Sequence, residues 1–126
     1  MVLITGGAYQ GKVDYALEKF NLSRKDIYTC SRDKVELPDD MAIINNVEDL
    51  VWACFANDRD PLKYLAARKS RWGKSVMIVN DISCGLVPMD KDERIFREAV
   101  GRTTMYLATE ALAVIRVFAG IGKRIK

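Results

Sequence analysis

Residues 2–13 constrain this chain more than any other stretch. Val2-Leu3-Ile4-Thr5 is a short apolar and β-branched run that reads as a buried strand. It stops at Gly6-Gly7. From there Gly6-Gly7-Ala8-Tyr9-Gln10-Gly11-Lys12-Val13 follows the pattern Gly-x-x-x-x-Gly-Lys. Val13, Ala16, Leu17 and Phe20 then fall at helical spacing, which predicts a helix from near Gly11 to near Asn21. A glycine-rich loop between a buried strand and a helix lets backbone amides and the helix N-terminus face an anion. Lys12 would reach the β- and γ-phosphates of a nucleotide as a point charge. The competing reading is a glycine-rich turn with an exposed lysine, and the placement favours phosphate. Position 13 normally carries Ser or Thr, whose hydroxyl helps to hold Mg²⁺. Val13 cannot do so, which weakens any Mg²⁺ site, and no protein metal ligand is expected. Gly73-Lys74-Ser75 imitates the end of such a loop but precedes a strand, so it reads as a turn.

The rest of the chain alternates strands and helices. Ile27–Cys30, Met41–Asn45, Val76–Val79 and Val114–Phe118 are apolar runs without polar alternation, the pattern of strands buried on both faces. Val114–Phe118 is read as the last strand. Asn46 is placed to cap a helix with Glu48 and Asp49 in its first turn and Val47, Leu50, Val51, Cys54 and Phe55 as its apolar stripe. Asp60-Pro61 marks another helix start. Asp90 with Glu93 resembles a capping box opening a long helix with Phe96, Ala99, Val100, Thr103, Leu107 and Ala111 on one face. This order predicts an α/β fold, a mostly parallel sheet with helices on both faces. No repeat, low-complexity tract or linker divides it, so residues 1–126 are expected to form one nucleotide-binding domain.

Charge narrows the function further. The net charge of +3, from 20 basic and 17 acidic residues, is too mild to argue for nucleic acid or an anionic membrane. The basic tail residues Lys123, Arg124 and Lys126 read as a solvated end. Cys30, Cys54 and Cys84 lack metal-ligand spacing and read as ordinary buried thiols in a reducing compartment. No apolar stretch is long enough to span a bilayer, and no basic leader precedes the first strand, so a cytoplasmic location is expected. The chain contains no histidine, which removes imidazole acid–base chemistry and any phosphorylated or guanylylated histidine. Trp52 is expected in the core. Trp72, within the basic stretch Arg68-Lys69-Ser70-Arg71, is expected at the surface.

Ile78-Val79-Asn80-Asp81-Ile82-Ser83-Cys84-Gly85-Leu86-Val87-Pro88 is the most distinctive segment. Groups beyond the carboxyl ends of parallel strands line the ligand crevice. Asp81 there could contact Mg²⁺ through water, accept a proton from a hydroxyl, or simply cap the turn. Together with Arg94-Ile95-Phe96-Arg97-Glu98-Ala99-Val100-Gly101-Arg102, Ala119-Gly120-Ile121 and the glycine loop, this segment resembles the adenosylcobinamide kinase/adenosylcobinamide-phosphate guanylyltransferase family. The resemblance covers about the first twenty and the last fifty residues. It implies a three-layer P-loop NTPase-like sheet, ATP or GTP as ligand, a corrinoid substrate and a homo-oligomer, a trimer in that family. That family phosphorylates the aminopropanol hydroxyl of adenosylcobinamide and then moves GMP from a guanylylated histidine. Lys12 matches its loop lysine, and Asp81 stands where it has Glu. The departures are Val13 at the metal-binding Ser, Asn45 near an expected acid, a shorter middle and the missing histidine, which closes the guanylyl route. Arg94 and Arg97 match family arginines and could meet phosphate, a neighbouring subunit or only solvent. The readings are therefore a kinase-like enzyme, a relative that binds nucleotide or phosphate without turnover, and an oligomeric interaction subunit that keeps the fold alone.

Overall fold

The computed structural model describes residues 1–82 and 90–126. Along the chain run β1 (Val2–Gly6), α1 (Lys12–Lys19), β2 (Ile27–Thr29), β3 (Ile43–Asn45), α2 (Val47–Ala56), α3 (Pro61–Ala67), α4 (Lys69–Trp72), β4 (Val76–Asn80), α5 (Lys91–Glu110), β5 (Ala113–Phe118) and β6 (Ile121–Arg124). The described strands form one sheet in the order β2-β3-β4-β1-β5-β6. Neighbours among β1 to β5 are parallel, and only β6 runs antiparallel, against β5. The expected α/β architecture with a mostly parallel sheet is therefore present. Among the described residues no helix is long and apolar enough to cross a membrane.

Period-two alternation sorts the strands between two cores. Leu3, Ile44, Met77, Val79 and Val114 point to a layer built from α2, α3 and α5. Ile4, Ile43, Ile78, Ile115 and Val117 point to the other face, where Ala16 is buried and Val13, Leu17 and Phe20 of α1 pack against them. Each fully buried Leu or Ile contributes roughly 1.5–3 kcal/mol. The long helix buries Phe96, Ala99, Val100, Thr103 and Leu107 as its spacing predicts, and Asp90 accepts the Glu93 N–H at 2.8 Å. Asp60 likewise caps α3 by accepting from Leu62 N–H at 2.9 Å. Gly73-Lys74-Ser75 is the turn before β4. Cys30 and Cys54 are buried free thiols, and burial pushes them up to about 12 and about 11.

Four expectations are corrected. Trp72 is fully buried: its Nε1 donates to the Leu65 carbonyl at 2.9 Å and its ring meets Tyr106 edge-on. The α4 turn folds this stretch back under the sheet, while its basic neighbours reach outward, Lys69 to Glu110 at 2.6 Å and Arg71 to Asp39 at 3.0 Å. Trp52, expected in the core, is half-buried at its edge, edge-on to Phe96 with the Arg32 guanidinium 4.5 Å from its ring centre. Asn46 stands at the start of α2 but its side chain makes no capping bond. It is left-handed (φ 55°), a conformation Asn tolerates, as the chain turns sharply out of β3.

The tail is the fourth. Ala119 (φ 51°) and Gly120 (φ 76°) form a two-residue left-handed turn, and the residues after it return as β6. The basic tail is thus part of the sheet, and Lys126 Nζ donates to the last carbonyls of α5 at Ala108 and Thr109 (2.9 and 3.1 Å).

Candidate functional site

The glycine loop leaves the carboxyl end of β1, with β4 on one side and β5 on the other. Its glycines are required by contact. Gly6 (φ 149°) lies so close to β5 that a Cβ there would overlap the Val117 carbonyl oxygen. Gly11 is left-handed (φ 85°) at the start of α1, and a Cβ would come within 3.3 Å of Gly120. The hairpin turn holds the loop in return: Ala119 N–H donates to Gln10 Oε1 at 2.7 Å and Gly120 N–H to the Gln10 carbonyl at 2.8 Å. Tyr9 (φ 60°) stands fully exposed.

Lys12 is only 6% exposed, and its Nζ donates to the Gly7 carbonyl at 2.5 Å. Burial lowers its pKa from the ordinary lysine value, while the Glu48 charge acts against that shift. The loop from Ala8 to Asp14 borders a cleft of about 370 Å³ whose far wall is Asn45, Asn46 and Asn80. Val13 turns its side chain to the core under α1. Asp14 pairs with Arg24 at 3.3 Å in an exposed position.

Glu48 was read from the sequence only as a helix-start acid, yet it is 6% exposed. Its two oxygens accept the Asn80 N–H at 3.1 Å and the Asn80 Nδ2 at 2.7 Å. Burial raises its pKa, and these bonds from Asn80 act against the rise. The available signal was its position three residues before Val51 on a helix whose only other charged residue is Asp49, where an acid is rarely buried without partners.

Asp81 does not border the loop cleft. Its N–H donates to the Gly6 carbonyl at 2.8 Å, and its Oδ2 lies 3.7 Å from Arg116 Nη1. It borders a second cleft of about 320 Å³ with Thr5, Arg97, Gly101, Thr104 and Arg116, and Asn80 lines both clefts. Sequence-predicted Lys12 and Asp81 thus sit on opposite sides of Asn80. Arg97 reaches the second cleft, while Arg94 is exposed. The readings at Ser83, Cys84, Gly85, Leu86, Val87 and Pro88 lie outside the described residues.

The donors at the loop do not fit a protein-held Mg²⁺. Position 13 has no hydroxyl, the far wall of the cleft is amide, the one carboxylate on its border, Asp14, is paired with Arg24, and no cluster of acids or thiols among the described residues could hold a metal.

Residues 42–125 match the sequence model of the cobinamide kinase / cobinamide phosphate guanyltransferase family. The chain belongs to that family. The matched span takes in β3 to β6 with the second cleft's Arg97, Gly101 and Arg116, and it begins after the glycine loop. Two curated relatives are the bifunctional adenosylcobalamin biosynthesis proteins CobU of Escherichia coli strain K12 and Salmonella typhimurium strain LT2. The first is 40% identical over 53 residues, 42% of this chain and 29% of that protein. The second is 37% identical over 68 residues, 53% of this chain and 38% of that protein. The chain therefore matches well under half the length of either relative.

Proposed function

We propose that residues 1–126 act as one nucleotide-binding domain serving adenosylcobalamin biosynthesis, taking ATP or GTP in the loop cleft and passing a phosphoryl group to a side-chain hydroxyl of a corrinoid. The observation that carries this reading is Lys12. It is a buried ammonium inside a glycine loop at a helix start, with no carboxylate at ion-pair distance among the described residues. An ammonium held out of water costs stability, the nearby Glu48 charge offsets that cost only in part, and an anionic ligand offsets more of it.

In this reading the loop amides and Lys12 hold the β- and γ-phosphates and stabilise the charge that shifts during transfer. Asp81 receives the proton of the acceptor hydroxyl, and Arg116 beside it keeps the carboxylate oriented. Mg²⁺ would enter with the nucleotide, held by phosphates and water. The guanylyl step by a histidine intermediate is absent, because the chain has no histidine. A cytoplasmic homo-oligomer, trimeric by resemblance, belongs to the same proposal; exposed Phe118 and Ile121, paired across the edge hairpin, support an assembly surface.

A second reading is nucleotide binding without turnover. It draws on Val13 and on the amide wall of Asn45, Asn46 and Asn80. Calorimetric titration of ATP and GTP, with and without Mg²⁺, on the protein and on Lys12→Ala separates the two. Binding strengthened by Mg²⁺ and lost in Lys12→Ala, followed by phosphate transfer to cobinamide, supports the kinase reading. Metal-independent binding without transfer selects the second. Absence of any nucleotide binding sinks both.

A further inference from the structure

The second cleft has a construction of its own. Thr5 and Arg116 are register partners on β1 and β5, directly beyond the apolar pair Leu3 and Val114 on the same face. Thr5 also pairs with Val79, and Asp81 is the next residue of that face. The floor of the sheet thus changes from apolar to polar at its carboxyl edge. The roof is α5, where Arg97, Gly101 and Thr104 fall at helical spacing.

Two features of this roof and floor lack a packing explanation. Gly101 lies in the middle of a 20-residue helix, where glycine costs roughly 0.5–1 kcal/mol against alanine. A Cβ built there meets nothing within 4 Å. The glycine is therefore not demanded by a neighbouring atom, and it leaves space in the cleft. The second feature is charge. Arg97 makes no ion pair among the described residues, and Arg116 makes a single one-armed contact, to Asp81 at 3.7 Å. A guanidinium presents five donors in a fixed fork matched to an oxyanion, and among the described residues most of these ten donors are uncommitted.

We infer that the second cleft is an oxyanion subsite, in which Arg97 and Arg116 clamp a phosphate or carboxylate group of a ligand held across Asn80 from the loop. The inference rests on the residues of this cleft alone and not on the nucleotide reading of the loop. Thr104 Oγ1, which donates to the Val100 carbonyl at 2.8 Å, keeps its lone pairs for a bound hydroxyl. Gly101 supplies the room, and Asp81 restricts the anion to the arginine side by repulsion.

The test is titration of methyl phosphate, and separately acetate, into the full ¹⁵N-labelled chain, alone and with saturating ADP. Backbone amides of Gly11 and Lys12 report the loop; those of Gly101, Thr104 and Arg116 report the second cleft. The expected result is a saturable shift of the second set that persists with ADP present. Arg97→Gln and Arg116→Gln should each weaken it by about tenfold or more, the loss of a charge-assisted bond. Neither should change the ADP response of the loop. A response to acetate equal to that to methyl phosphate assigns a carboxylate ligand; a clear preference for methyl phosphate assigns a phosphate. Shifts confined to the loop, or second-set shifts untouched by both substitutions, overturn the inference. If ADP leaves the loop unmoved while methyl phosphate moves the second set, the nucleotide reading fails and the subsite stands.

Discussion

Glu48 grips Asn80 twice, at its backbone N–H (3.1 Å) and at its side-chain amide (2.7 Å), and so ties the first turn of α2 to the carboxyl end of β4. Asn80 lines both clefts, so this pair of bonds fixes the partition between them. The acid that does this is buried, beside the equally buried Lys12, whose charge it influences.

Removing the grip should loosen that partition. Glu48→Ala leaves the Asn80 N–H without its acceptor, at a cost of about 1–3 kcal/mol in urea unfolding, whereas Glu48→Gln retains one of the two bonds and loses less. The pH dependence has a definite sign. Burial raises the folded-state pKa of Glu48 above its unfolded value, so its contribution is fully present below the unfolded value of 4.5 and is lost as pH rises through the folded pKa. The stability advantage of the native chain over Glu48→Gln should therefore shrink from pH 4.5 upward. An advantage that grows over that range refutes the assignment.

Lys12 has the opposite linkage. Its folded pKa is lowered, so its charged form is disfavoured by folding, and stability should rise as pH climbs from that lowered value towards 10.5. Lys12→Met removes the buried charge but keeps the aliphatic stem. The expected outcome is a thermal midpoint equal to or above that of the native chain, together with loss of the nucleotide-induced upward shift. A midpoint lowered as by a core cavity would mean that the Gly7 hydrogen bond is structural and that Lys12 is not waiting for an anion.

Val13→Thr tests the departure from the usual loop. Valine here packs under α1, so a hydroxyl of similar shape should cost about 1 kcal/mol through partial burial. The same hydroxyl supplies the missing metal contact. Nucleotide affinity in Val13→Thr should become more dependent on Mg²⁺ than in the native chain, by calorimetry at matched ionic strength. Equal dependence in both proteins would mean that residue 13 does not face the phosphates.

Local chemistry made much of this legible. The glycine loop, the buried strands and the α5 stripe follow from periodicity and from residues with few alternatives, such as Asp60-Pro61. The hairpin after Phe118 was not legible, because its turn puts Ala119 at positive φ, where alanine is uncommon. Its cause is tertiary: Gln10, over a hundred positions away, holds both turn amides. Glu48 and Trp72 were misread for different reasons. Glu48 lies among buried apolar neighbours, Val47, Leu50 and Val51, but carries a charge that at a helix start ordinarily faces solvent; Trp72 follows a basic stretch, and only the fold decides that Lys69 and Arg71 point outward while the ring points in. The second cleft was hidden because Thr5, Asp81, Arg97 and Arg116 come from four separate elements or their ends.

Gly101 sets stability against binding in one substitution. Alanine at this position gains roughly 0.5–1 kcal/mol of helix propensity, and no atom stands within 4 Å of its Cβ to oppose it. Gly101→Ala should therefore unfold at a higher urea concentration with an unchanged slope. Its methyl group projects into the cleft between Arg97 and Thr104, so methyl phosphate should bind it more weakly than the native chain while ADP at the loop is unaffected. A variant that gains stability and keeps its full methyl phosphate response would show that the space above Gly101 is not used by the anion. One that loses stability would show that the α5 backbone needs glycine there for its own conformation.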